Sequence, residues 1–304
     1  MLEILLIILP IFTVMLLGNI LYRYKYIDIQ FINTGNRLLF NVLIPALLFY
    51  KISQSDLTKV FSINHVLVLL SSIALMFLLS FFIARLLGLT APATSSFIAN
   101  CFRSNITLIG LPICFYVFGD QGLAIASIFA AFAVPVNNTL GVLAFSKFTL
   151  ENWKYNLKNA IVNPLIISCA LAIPFAWLRI PLPLFVENTL SIISGITLPL
   201  ALIGIGASIS VQYLKGNTAL IAINTLIKLF VLPLIGLLLF KLFHFGPIDI
   251  FQQIVILLLA MPSAQINFVF ASAMNGDSDL SSGVIISTTL LSIVSLTVWL
   301  SLLI

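Results

Sequence analysis

Charge is nearly absent from long stretches of this chain: its Lys, Arg, Asp and Glu residues fall mostly in short clusters that divide 304 residues into apolar runs of 19 residues or longer. An apolar run of about 20 residues crosses a bilayer core as a helix, because in lipid each backbone N–H and C=O must find its partner within the protein. The chain therefore reads as an all-α integral membrane protein. Composition agrees, with 61% hydrophobic residues, 8% charged residues and a mean hydropathy of +1.21, values that exclude a water-soluble globular domain. The positive excess, 14 Lys and Arg against 9 Asp and Glu, sits in loops as positive-inside bias requires, so no nucleic acid is needed to explain it. Cys101, Cys114 and Cys169 lie inside apolar runs without C-x-x-C or Cys/His ligand spacing. They read as small buried hydrophobes, and no metal, cofactor or disulfide is expected.

Gly, Pro and charged clusters punctuate ten spans, near 2–22, 34–52, 64–87, 91–118, 122–146, 160–178, 184–211, 217–242, 249–274 and 280–304. The first is a full span with no basic residue before it and is expected to remain as helix one rather than be cleaved. The odd-numbered loops carry Arg23, Lys25, Arg37, Arg85, Lys147, Lys154, Lys158 and Lys215, the even ones Lys51, Lys59, Arg179 and Lys241. This bias puts the odd loops in the cytoplasm and both termini outside, in a cell membrane. Tyr22, Tyr50, Trp153, Tyr155, Trp177 and Tyr213 then fall at the interfaces as belt residues. Residues 147–159, with charges at near-helical spacing around Phe148, Leu150, Trp153 and Leu157, read as a cytoplasmic surface helix. That linker divides the chain into five-helix repeats, 1–146 and 160–304, which align with Pro10 on Pro164 and Pro45 on Pro199 at an offset of 154 residues. Five is odd, so the second copy enters the membrane upside down, the 5+5 inverted repeat of secondary transporters.

Two spans carry breaking residues at matching places. The fourth reads Asn100-Cys-Phe-Arg103-Ser104-Asn105 before Gly110 and Pro112, and the ninth reads Pro262-Ser263-Ala264-Gln265-Ile-Asn267. Proline removes backbone hydrogen bonds, and half-helix N-termini carry unpaired N–H groups with partial positive charge, so helices four and nine are expected to be broken around a central anion site. Arg103 and Lys228 lie roughly 15 Å from the nearer end of their spans at 1.5 Å per residue. No Asp or Glu lies equally deep, so both cations are expected to face a wet cavity or the substrate. The lack of a deep Asp, Glu or His, with His65 and His244 near span ends, argues against a buried proton relay. Sodium coupling through Asn137, Asn138, Gln265 or Asn267 stays open. No H-E-x-x-H, G-x-S-x-G or mid-span Asp pair suggests an enzyme.

Three stretches resemble the auxin efflux carrier family, in its small microbial branch of malate, malonate and related permeases. They are Asn41-Val-Leu-Ile-Pro45-Ala-Leu-Leu-Phe, Phe102-Arg-Ser-Asn105-Ile-Thr-Leu-Ile-Gly110-Leu-Pro112 and Met261-Pro-Ser-Ala-Gln265-Ile-Asn267-Phe-Val-Phe-Ala. The resemblance implies a fold like that of bile acid:sodium symporters, with scaffold and transport domains, crossed helices four and nine, alternating access, and homodimers. It carries the substrate role to Asn105 and, less firmly, to Gln265 and Asn267. Plant members have a long hydrophilic loop between the halves where this chain has thirteen residues, Lys147 to Asn159, which favours a small organic carboxylate over auxin. The expected site is thus Arg103, Asn105, Lys228, Gln265 and Asn267, with helix breaks at Pro45, Gly110, Pro112, Pro199 and Pro262.

Overall fold

The computed structural model describes residues 2–146, 164–209 and 217–304; the expected surface helix at 147–159 and Lys215 lie outside them. The described residues are helical, with one isolated antiparallel bridge between Ser104 and Ser263. Apart from the single turn Leu57–Val60, the helices are α1 (Leu2–Arg23), α2 (Ile29–Ser53), α3 (Ile63–Leu86), α4 (Ala91–Phe102), α5 (Ile106–Phe145), α6 (Pro164–Leu178), α7 (Leu184–Ser208), α8 (Thr218–Leu242), α9 (Ile250–Ala260), α10 (Ile266–Ala273) and α11 (Ser278–Leu303). Among the described residues seven helices are long and apolar enough to cross a membrane, and α6 and α9 are shorter apolar helices. This is a multi-pass membrane protein.

Boundaries follow local chemistry. Asp28 accepts a 2.7 Å hydrogen bond from the Phe31 N–H, so α2 begins at Ile29 rather than near 34, and the polar run Asn33–Arg37 is its early turns. Asp249 and Asp277 cap α9 and α11 in the same way, at 2.8 Å each. α5, at 40 residues, would extend about 60 Å if straight, twice the thickness of a bilayer core. Gly119 divides it, with φ 65° and ψ −154°, a backbone state that is essentially glycine's alone. The chain doubles back there, because Asn138 returns to touch Arg103, just before the helix begins.

Proline shapes the remaining helices in two ways. The turns Leu39–Leu43, Ile106–Gly110 and Ile227–Val231 are widened to π geometry, and each ends two residues before a proline: Pro45, Pro112 and Pro233. Proline's ring clashes with the carbonyl four residues earlier and leaves it without a donor; a wider turn moves that group clear. For Pro233 this carbonyl belongs to Leu229, and the Trp299 indole donates to it at 2.9 Å. Pro45 and Pro112 therefore widen their helices rather than break them, and α7 continues through Pro199. The expected match between Pro45 and Pro199 does not extend to their local structure.

The helices pack as two groups. α1, α2, α6 and α7 form one, with α1 laid along α7 and α2 along α6; α3, α4, α5, α8, α9, α10 and α11 form the other. Asn19 of α1 donates to the carbonyls of Gly206 and Ile209 at the end of α7, at 3.1 and 2.6 Å. Thr197 of α7 donates to Leu43 in the π turn of α2 at 3.2 Å. Between the groups, side-chain hydrogen bonds among the described residues are two: Lys51 to Asp120 at 2.5 Å and Gln265 to Ser208 at 2.6 Å. The rest of that boundary is mostly apolar and includes a cavity of about 330 Å³ lined by Leu47, Tyr50, Lys51, Tyr116, Ser194 and Leu198.

Within the first group α1 and α7 meet backbone to backbone. A Cβ on Gly206 would lie 1.7 Å from the Met15 carbonyl oxygen, and one on Gly18 would lie 2.2 Å from that of Ile203. Small residues bring transmembrane helices together in this way. Gly206→Ala is expected to lower the detergent unfolding midpoint by the equivalent of about 1–3 kcal/mol. Gly195→Ala on the same helix, where nothing lies within 4 Å, is expected to leave it unchanged.

Candidate functional site

α4 has 12 residues and α9 has 11, so each runs only about 16–18 Å, little more than half the thickness of a bilayer core. Past Phe102 the backbone turns extended, at φ −87°, ψ 101° for Arg103. Past Ala260, Met261 adopts φ −59°, ψ 149°, the state a residue preceding proline prefers. The two extended segments run antiparallel and complete each other: the Asn105 N–H donates to Pro262 O at 2.8 Å and the Ala264 N–H to Arg103 O at 3.0 Å. Pro262 thus lies in a true break, whereas the break in the fourth span falls at Arg103–Asn105, more than a turn before Gly110 and Pro112. Gly110 serves packing, since a Cβ there would lie 2.9 Å from Leu258 of α9.

The two deep cations differ. Lys228 is fully buried, and its Nζ donates to Ser104 Oγ at 2.7 Å and to the Leu259 carbonyl at 2.9 Å. Ser104 Oγ donates to the same carbonyl at 3.1 Å. Leu259 is in the last turn of α9, where unpaired carbonyls carry partial negative charge, so the ammonium neutralises a helix end and ties it to the other break. Arg103, also buried, donates through Nη2 to Asn138 Oδ1, and its guanidinium stacks 4.8 Å from the Phe270 ring centroid. Its Nη1 has no partner. Gly141, on the face of α5 that carries Asn138, makes room for it: a Cβ there would lie 2.7 Å from Nη1. Among the described residues no carboxylate is within 4 Å of either cation.

Asn105 caps the second half of its span by accepting from the Leu108 N–H at 3.2 Å, and its buried Nδ2 is unpartnered. Asn267 faces away from Arg103 into a neutral network. Its Nδ2 donates to Ala99 O, Asn100 Oδ1 and Ser263 Oγ at 3.0–3.2 Å, while Ser263 Oγ donates to Asn100 Oδ1 at 2.6 Å. Asn100 reaches Ser281 of α11 at 3.2 Å. Gln265 lies at the boundary between the helix groups through its bond to Ser208. Of the five expected residues, Arg103 and Asn105 present unpartnered donors, Lys228 and Asn267 are spent chiefly within the protein, and Gln265 links the groups. Gly141 and Phe270 escape a reading of the chain by spans, and Asn138, expected only as a candidate sodium ligand, instead holds the guanidinium; the i, i+3 pair Asn138 and Gly141 is the signal for them.

A family profile described as "Membrane transport protein" matches residues 4–152 and 145–300. An uncharacterized transporter of Methanothermobacter thermautotrophicus is 26% identical over 295 residues, 96% of each chain. Another, from Methanocaldococcus jannaschii, is 24% identical over 275 residues, 87% of each chain. The chain belongs to the membrane transport protein family, the auxin efflux carrier family of the resemblance.

The role of Lys228 as a tie between the breaks has a direct consequence. Hydrogen bonds to charged groups contribute about 1.5–3 kcal/mol each. Lys228→Met is expected to reduce the yield of monodisperse, folded protein on size exclusion and to lower its unfolding midpoint. Unaltered stability would show that the ammonium is not needed there.

Proposed function

From that membership we propose that the chain is a secondary transporter of small organic carboxylate anions, working by alternating access, with the anion bound where the two broken spans meet. The observation that carries the reading is Arg103, a guanidinium near the membrane centre with an unpartnered N–H edge and no carboxylate beside it. A buried cation without a counter-ion is costly, and an anionic substrate supplies the missing charge. Asn105 Nδ2 offers a second donor at a half-helix N-terminus, which Asn105 caps. Gln265 completes the proposed lining once the groups separate, and Lys228 and the network around Asn267 support it from behind.

The proposed architecture is ten crossings in a 5+5 inverted repeat, 1–146 and 160–304 joined by 147–159. Its support lies in the reversal at Gly119, which makes two passes of α5, and in the two broken spans, which enter from opposite ends. The group of α1, α2, α6 and α7 takes the scaffold role, and the group holding the breaks takes the transport role. Their apolar boundary with two polar links suits sliding or rocking. The ion pairs Lys51–Asp120 and Arg179–Asp56 and the contact of the His65 imidazole with Asp249 lie at the even-loop end. Arg23, Lys25, Arg37 and Arg85 occupy the other end, which favours that end facing the cytoplasm and both termini facing out of a cell membrane. In a cell negative inside, the potential then favours export by about 2.3 kcal/mol per charge per 100 mV.

A sodium-coupled symporter of the same fold is the second reading, favoured by Asn137 Oδ1 and Asn267 Oδ1, buried acceptors without a donor. Counterflow of a labelled carboxylate into liposomes, with and without a sodium gradient, separates the two. Arg103→Gln is expected to abolish saturable counterflow while leaving folded protein; transport at the wild-type rate would remove Arg103 from the site. Asn105→Ala is expected to raise the apparent substrate constant about five- to thirtyfold, the effect of one hydrogen bond of about 1–2 kcal/mol.

A further inference from the structure

Deep charge in the described residues amounts to two cations, and one of them is already answered. Lys228 is matched by the carbonyl end of α9 and by Ser104, with no exposed surface. Arg103 has Nη2 committed to Asn138 and one face of its guanidinium covered by Phe270, which leaves Nη1 buried without a partner. A guanidinium normally grips a carboxylate through two parallel N–H groups, and here the fork is half used. Asn105 Nδ2, an unpartnered donor two residues along the same break, is neutral. The remaining polar side chains of the region, Asn100, Ser263, Asn267 and Ser281, are uncharged and bonded to one another.

Resting on the transport reading above, we infer that the species carried has one negative charge: a monocarboxylate, or a dicarboxylic acid only as its singly protonated anion. A dianion would bring a second negative charge to the membrane centre with no second free cation among the described residues to meet it. Discrimination against a dianion then follows from charge count rather than from pocket shape. The expected size is on the order of a hundredfold, the penalty for one uncompensated charge on insertion scales. Arg103 supplies the balancing charge, and Asn138 and Gly141 act as positioning residues that keep its Nη1 edge available.

The test uses the full chain in liposomes, with counterflow of labelled pyruvate and of labelled malonate measured from pH 6 to pH 8. Vesicles without protein and vesicles with Arg103→Gln give the background. Saturable pyruvate counterflow that varies little with pH is expected, with malonate roughly a hundredfold slower at pH 8. Malonate flux is expected to rise as pH falls, in proportion to hydrogen malonate. Currents recorded in parallel are expected to give one charge per molecule moved. Malonate counterflow at pH 8 as fast as that of pyruvate, or two charges moved per malonate, overturns the inference and leaves the carboxylate transporter standing. Saturable counterflow of neither anion removes the carboxylate reading and this inference together.

Discussion

A backbone N–H or C=O inside a bilayer has no water to turn to, and the structure is organised around meeting that demand at two places where helices stop halfway. The solution is mutual. The interrupted ends of α4 and α9 lie antiparallel and exchange Asn105 N–H to Pro262 O and Ala264 N–H to Arg103 O, so neither break could persist without the other. Ser104 and Lys228 close over the carbonyl end of α9, and the Asn100, Ser263 and Asn267 network joins the far side to α11. What results is a rigid polar centre in an otherwise apolar body.

Rigidity there shifts freedom elsewhere. The helix group that holds the breaks is bound within itself by hydrogen bonds, and the α1–α7 pair is locked by backbone contact at Gly18 and Gly206. Between the two groups the chain has mostly greasy contact, with Lys51–Asp120 and Gln265–Ser208 as polar links. Apolar surfaces are non-directional and tolerate displacement, whereas a hydrogen-bonded network does not. Such a division suits the alternating access proposed above, in which the site moves as one piece against the other helix group.

Much of the fold was legible because its signals are local and additive. Runs of about 20 apolar residues mark the crossings, and Pro262 marks a break through the steric restriction it places on Met261, whereas the caps Asp28, Asp249 and Asp277 fix helix starts that the apolar runs left a few residues off. Proline was less reliable as a mark of interruption. Pro112 and Pro45 sit behind π turns and Pro199 inside a continuous helix, because whether a turn widens, breaks or merely bends depends on what can reach the freed carbonyl. Trp299 does so for Leu229 from 70 residues away, a relation that spacing along the chain does not carry.

The same division separates what the chain determined alone from what the tertiary structure decided. Composition and periodicity determined a multi-pass helical membrane protein, the near-central depth of Arg103 and Lys228, and the absence of a deep carboxylate, because depth follows from counting residues along a helix. Which cation is free was decided only by packing. Lys228 and Arg103 look alike as isolated deep charges, but one meets the end of α9 and the hydroxyl of Ser104, and the other meets Asn138, Phe270 and the bare face of Gly141. A charge is spent or available according to its neighbours in space, and those neighbours come from helices far apart in the chain.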